Sequence, residues 1–345
     1  MQGDVKSFNL LEKPWINVMT RDKIVESVSL RDAILNAHKY TSLAGELPTQ
    51  DYAVLRLLLA VLFAVFCRVD IDGNDSPLNR KNAVKRWKLL WSMGQFPQKP
   101  IGDYMEKWRD RFDLFHPVRP FYQVSQAHVL RFQEEKREKR RKKNPDKSEP
   151  KREENQTGKY KCAKLIGTIS QSGNKDRLFP NRLGADLEEL SPAEAARWLL
   201  HINGYDDTAA KTGTSFGWLG QLGSIYAEGD NLFQTLMLNL TFKMDGTTEW
   251  EECMPIWEVE AKEEIATDRN PAWTLTLQSR HIWLEEKDGK VISYYVTGGE
   301  PSPEPNDFSE QMTIWKYTKT KTGGNYFPVP HEFSKQIPMS RTTPR

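Results

Sequence analysis

Six histidines, two short groups of acidic residues and two glycine-containing lysine loops are the parts of this chain whose residue types could do chemistry. The histidines are His38, His116, His128, His201, His281 and His331, and no two have the HxH or HExxH spacing that sets two imidazoles on one metal. His201 falls at the end of a helical pattern, where a cationic ring would complement the helix dipole. Asp70, Asp72 and Asn74 open like a calcium loop. Asp75 then stands where such a loop needs glycine, and Lys81 where it needs glutamate, so the segment reads as a polar turn. Asp206-Asp207 is one adjacent carboxylate pair without further ligands. Neither a GxSxG elbow nor a phosphate-binding P-loop occurs. The inventory favours a binder over an enzyme and calls for no metal or organic cofactor.

Two segments suit nucleic acid. Gly204–Gly213 is rich in small residues and ends in Lys211-Thr212-Gly213. Its backbone N–H groups could approach a duplex while Lys211 serves a phosphate or a minor-groove acceptor. The second is Lys319-Thr320-Lys321-Thr322-Gly323-Gly324-Asn325-Tyr326, a hairpin tip able to push polar and aromatic groups between base pairs. Each pattern is also that of an ordinary turn. Between Arg131 and Lys159 there are 12 Lys+Arg against 7 Asp+Glu, and the remaining chain carries 37 against 40. Positive charge is thus concentrated, within a 133–157 segment almost free of hydrophobic residues and interrupted by Pro145 and Pro150. It reads as a solvated, mobile insertion, either a plain charged loop or an arm that touches phosphate.

The elements that must hold these loops are legible in outline. With 345 residues, 38% hydrophobic content and 11 tryptophans, the chain has ample material for a core. FNLL, WINVM and KIVESVSL read as short strands. Thr49 and Asp51, beside Pro48, read as the cap of a Tyr52–Arg68 helix. The apolar run Leu57–Cys67 within it is too short to span a bilayer, so a buried helix is expected, without a membrane. Asn82–Trp91 reads as a helix, and RFDLFHPVRPFYQV as an extended segment pinned by Phe112, Phe115, Phe121 and Tyr122. Ser191-Pro192-Ala193-Glu194 is a capping box that starts a helix ending at Asn203-Gly204. Gln234–Phe242 is β-prone. Thr274–Thr297 reads as a hairpin turned by Asp288-Gly289, and Met312–Tyr317 as a strand. Cys67, Cys162 and Cys253 are dispersed and odd in number, which fits a reducing cytoplasm and no disulfide framework. The opening MQGDVKSFNLLEKPW lacks the order of a signal peptide.

In order along the chain, FNLLEKPWINV, SLAGELPTQDYAVLRLLLAVL, RFDLFHPVRPFYQV, LFPNR, EAARWLLHINGYDD, KTG, GWLGQLG, EGDNLFQTLMLNL, PAWTLTLQSRHI and MTIWKY with its following Gly-Gly loop resemble the large subunit of type I-E CRISPR Cascade, the CasA family. The resemblance covers nearly the whole chain. It implies an α+β fold: one large N-terminal-type domain, 1–345, of short sheets and helices with long loops. The family continues into a C-terminal four-helix bundle that would begin near Arg345, implying a shortened chain or a minimal variant.

The resemblance further implies a non-catalytic subunit that binds guide RNA and other Cascade subunits (backbone, guide-end-capping and small). Such a subunit reads the protospacer-adjacent motif in double-stranded target DNA, helps open the duplex and recruits a helicase–nuclease. It places Phe179 and Asn181 at the guide's 5′ end, Gly204–Gly213 in the minor groove, and Lys319–Asn325 on the wedge hairpin. That hairpin lacks the family's glutamine, leaving Asn325 or Lys321 to act. Lys262 lies in the region of the family's lysine finger. Two other readings compete: a metal-dependent nuclease using Asp70, Asp72 or Asp206-Asp207, and a purely structural interaction subunit.

Overall fold

The computed structural model describes residues 7–143, 158–167, 182, 185–205, 217–242, 253–259, 271–300, 310–320 and 323–328. A three-stranded antiparallel sheet opens the fold: β1 (Ile16–Thr20) lies between β2 (Val25–Val28) and β3 (Tyr40–Leu43). FNLL is no strand. Asn9 makes a single bridge to Asp113, and Leu10 N donates to the Phe112 carbonyl at 2.9 Å. Between β2 and β3, α1 (Leu30–Leu35) starts at Ser29, whose hydroxyl accepts from Asp32 N at 3.1 Å.

The core is organised around α2 (Pro48–Phe66). Its sequence is apolar on every side, as a helix surrounded by packing must be. It is as long and apolar as a membrane span, yet it is buried inside the fold. Its start differs from expectation. Leu47 is the N-cap with Pro48 at the first turn, because Thr49 and Asp51 are engaged elsewhere. Thr49 Oγ1 bonds His201 Nε2 at 3.0 Å, and Asp51 accepts from Gly45 N at 2.7 Å. At the far end, Arg86 donates to the Phe66 carbonyl at 2.7 Å and to Ser76, satisfying a helix-terminal acceptor. Arg86 belongs to α3 (Ala83–Met93), where Trp87 and Trp91 stack at 5.2 Å.

After α4 (Gln98–Lys107), the aromatic RFDLFHPVRPFYQV segment runs by turns, with Phe112, Phe121 and Tyr122 buried and Phe112 and Phe121 stacked at 5.2 Å. Next, α5 (Gln126–Lys143) carries helical structure into the segment expected to be a solvated loop. Glu, Lys, Arg and Gln are strong helix formers. The rest of that insertion, 144–157, lies outside the described residues.

The second half adds β4 (Lys159–Lys161), α6 (Ala185–Glu188) and α7 (Pro192–Tyr205). The Ser191–Glu194 capping box forms as its sequence dictates: Glu194 N donates to Ser191 Oγ at 3.3 Å, and Ser191 N to Glu194 Oε2 at 3.1 Å. Gln234–Phe242, read as β-prone, instead holds α8 (Leu232–Asn239). The Asn231 side chain accepts from Gln234 N at 2.9 Å, and Leu232, Phe233, Leu236 and Met237 bury one helical face. A short α9 (Pro271–Leu275) packs on α2. The hairpin then follows as β5 (Ile282–Lys287) and β6 (Lys290–Val296). Asp288 and Gly289, at φ 53° and 80°, form its mirror-image turn. β6 also pairs β4, giving the sheet order β4-β6-β5. The last hairpin pairs β7 (Trp315–Thr320) with β8 (Gly323–Pro328), Thr320 opposite Gly323. The fold is therefore α+β, helices around short antiparallel sheets.

Candidate nucleic-acid interface

Of the residues singled out for chemistry, Phe179, Asn181, Lys211, Thr212, Gly213, Lys262, Lys321 and Thr322 lie outside the described residues, as do Asp206, Asp207 and His331. The structure shows what holds the ends of their loops. Three polar nodes do so.

The first node sits under the LFPNR motif. Arg182, its last residue, bonds Glu46 at 2.8 Å and Glu194 at 3.0 Å. Burial works against the Arg182 charge, and the two carboxylates raise its pKa above the ordinary value regardless. Glu194 is also the capping-box glutamate, so Arg182 is clamped to the start of α7.

The second node is the most buried. Arg56, the lone basic residue in the apolar α2, meets Glu310 in a two-pronged pair at 2.9 and 2.8 Å, with both side chains at most 2% exposed. Trp218 Nε1 donates to Glu310 Oε2 at 2.9 Å, and Met312 N to Oε1 at 3.1 Å, so four donors serve the carboxylate. Arg56 also donates to the Thr274 carbonyl at 3.0 Å. Burial would lower the Arg56 pKa; Glu310 more than offsets it and keeps the guanidinium charged. Trp218 is where the chain returns from 206–216. Glu310 opens the run into β7, and its carbonyl accepts from Trp315 Nε1 at 3.0 Å. Ile225 N donates to the Met312 carbonyl at 3.0 Å, and Tyr52 Oη to the same oxygen at 2.9 Å. The two candidate DNA loops are thus rooted on one buried ion pair.

The third node anchors the chain ahead of Lys262. Arg68 binds Glu258 at 2.9 Å and the Cys253 carbonyl at 2.7 Å, while Tyr104 Oη donates to Glu258 and accepts from Trp257 Nε1 at 2.9 Å. Burial raises the Glu258 pKa, opposed by Arg68. Beside it lies an open cleft of about 280 Å³ whose lining includes Arg111, Arg119, His128 and Trp257.

On the hairpin, Lys319 is exposed, as is Gly323, whose φ of +148° suits only glycine. Gly324 lies under Tyr317, whose ring occupies the space a β-carbon would need. Asn325 lies in β8, where only the backbone is described. Gly204 corrects the expectation that Asn203-Gly204 ends the helix. Both residues are buried inside α7, which runs to Tyr205. Asn203 Nδ2 donates to the Arg280 carbonyl at 3.0 Å, and a β-carbon on Gly204 would meet Leu219 Cδ1 at 2.5 Å. Gly204 therefore serves close packing of α7 on Leu219.

His201 also departs from its expected role. It packs edge-on to Trp198 and stacks on Tyr205, and burial lowers its pKa to about 4, so it is neutral and cannot serve the helix dipole as a cation. Asp70 accepts from Asp72 N at 3.0 Å and Asn74 N at 2.9 Å, as a polar turn requires. Among the described residues, no three His, Cys, Asp or Glu side chains converge as a metal site would.

Sequence reasoning missed the nodes. One signal was available: Arg56 interrupts an otherwise apolar run, and a buried arginine requires a partner.

A family model described as CRISPR-associated protein Cse1 matches residues 9–337. A curated CasA/Cse1 from Thermus thermophilus is 30% identical over 318 residues, covering 87% of this chain and 53% of that protein. The Thermobifida fusca Cse1 crystal structure aligns with TM-score 0.72 and 28% identity over 96% of this chain and 60% of its own. A chain of a CRISPR RNA-guided surveillance complex shares the fold at TM-score 0.65 and 22% identity. The chain thus spans between about half and three fifths of the first two relatives' lengths. Matched along nearly all of its sequence and over its described fold, the protein belongs to the Cse1 (CasA) family of CRISPR-associated proteins.

Proposed function

We propose that this chain is the target-recognising part of an RNA-guided CRISPR surveillance complex, acting in the cytoplasm without catalysis of its own. It reads a short motif in double-stranded DNA, helps open the duplex and presents the complex to a helicase–nuclease. The observation that carries this reading is the common root of 206–216 and the β7–β8 hairpin on the Arg56–Glu310–Trp218 node. A motif reader must hold a groove-facing loop and a wedge in fixed relation, since unstacking costs a few kcal/mol per base step. Guide pairing supplies sequence specificity, so the protein needs only a short motif and an electrostatic hold on the duplex.

In this reading Lys211, Thr212 and Gly213 face the minor groove. Lys319, Lys321, Gly323, Gly324 and Asn325 form the wedge, Lys262 is the lysine finger, and Phe179 and Asn181 hold the guide's 5′ end. The test is alanine at Lys211, Lys319 and Lys321 together, in the assembled complex, with duplexes that carry or lack the motif. Motif-dependent binding should weaken, and the slope of log K against log salt should flatten by about 2–3, close to one per lost phosphate contact. Unchanged affinity and slope across several salt concentrations would sink the loop assignment.

A further inference from the structure

We propose that Cys67 and Cys253 form an oxidative modification site, a thiol pair that a small peroxide closes into a disulfide. The two residues are 186 positions apart, yet their sulfurs lie 2.8 Å from each other. That lies between the contact distance of two unbonded sulfurs and the roughly 2.05 Å of a formed bond. Both thiols are free and buried, Cys67 at 4% exposure and Cys253 at 0%. Each backbone is fixed by contacts other than the sulfurs themselves. Cys67 caps the C-terminus of α2, and its carbonyl accepts from Leu78 N at 2.7 Å. The Cys253 carbonyl is held by Arg68, itself paired with Glu258. The sulfurs therefore meet because two packed segments bring them together.

Cys162 is a built-in control. It is equally buried, but its Sγ donates to the Val291 carbonyl at 3.2 Å, in the β4–β6 region. Burial raises the Cys253 thiol well above its ordinary pKa. Cys67, at 4% exposure against 0% for Cys253, is the sulfur a peroxide reaches first. In that step the Cys67 sulfur attacks one peroxide oxygen, the O–O bond breaks, and the departing hydroxide takes the thiol proton to leave as water. The Cys253 sulfur then attacks the sulfenic sulfur of Cys67. The S–S bond forms, the S–O bond breaks, and a second water carries away the Cys253 proton. Two thiols lose two electrons and one peroxide is reduced to two waters. The bond would tie the segment ahead of Lys262 to the core helix and close a long loop, which constrains the unfolded chain.

The test is treatment of the purified chain with dilute hydrogen peroxide, followed by thiol titration in denaturant and a non-reducing peptide map. The free-thiol count should fall from three to one, with one linked peptide pair joining Cys67 to Cys253 and Cys162 still alkylatable. The melting temperature should rise by several degrees and return with dithiothreitol. Cys162→Ser should still form the bridge and leave no free thiol, whereas Cys67→Ser should keep two. Three persistent thiols, a bridge through Cys162, or over-oxidation of the pair without a bridge would each overturn the proposal.

Discussion

Gly204 and Leu219 are a packing pair. A β-carbon at 204 would lie 2.5 Å from Leu219 Cδ1 and 3.2 Å from its Cβ. Overpacking of this kind costs about 1–3 kcal/mol, while replacing a mid-helix glycine with alanine returns about 1 kcal/mol. Gly204→Ala should therefore lose about 0–2 kcal/mol, and combined with Leu219→Ala, which vacates the space, it should lose clearly less than the sum of the two single losses. Urea denaturation of the double-mutant cycle measures the coupling, and strictly additive losses would contradict the contact. His201 and Asp51 make a second prediction. Burial lowers His201 from 6.5 to about 4 and raises Asp51 from 3.8 to about 6, with Arg197 opposing the latter. Below pH 6.5 the unfolded chain protonates His201 while the folded one does not, so this stabilisation is lost as pH falls toward 4. Asp51 acts oppositely: the folded state keeps its proton to about pH 6, so its contribution is lost as pH rises through 6. The two cancel in part. Relative to the parent chain, His201→Gln should lose stability as pH rises from 4 to 6, and Asp51→Asn should gain it. Parallel urea midpoints for all three chains would refute the assignment.

At the scale of elements, α7 links the candidate RNA-facing and DNA-facing segments. Its start carries the capping box and Arg182, and its end leads into 206–216. Ser191→Ala removes the hydroxyl that serves Glu194 N and should cost about 0.5–2 kcal/mol. It also frees Glu194 from the geometry in which it holds Arg182, so the effect should extend beyond the helix. Hydrogen exchange around Arg182 should rise together with that of the first turn of α7. A local effect confined to Ala193–Ala195 would show that cap and clamp are independent. The expected strand at 234–242 shows the limit of reading elements singly. A short apolar run fits either a buried strand or a buried helix face, and here the Asn231 cap decides for helix.

At the scale of the whole molecule, Arg56 and Glu310 join parts of the chain 254 residues apart. Removing one partner of a buried pair leaves an uncompensated charge, at a cost of about 3–5 kcal/mol. Glu310→Gln should fall in that range by urea denaturation and loosen the chain at both Trp218 and Trp315, read by hydrogen exchange. Arg56→Met with Glu310→Leu should recover much of the loss, since apolar replacements carry no desolvation penalty. If Glu310→Gln stays within about 0.5 kcal/mol of the parent, a typical surface effect, the node does not bear the two loops.

The sequence by itself determined the local punctuation and the family. The Ser191–Glu194 cap, the Asp288-Gly289 turn, the buried apolar helix and the ten ordered motifs follow from residues within a few positions of one another, and local hydrogen bonds and backbone preferences act at that range. The tertiary structure alone decided what Gly204, His201, Thr49 and Asp51 do, and which partner each buried charge finds. Those outcomes depend on burial and on contacts between residues up to 260 positions apart, such as Tyr52 with Met312, which no local pattern encodes.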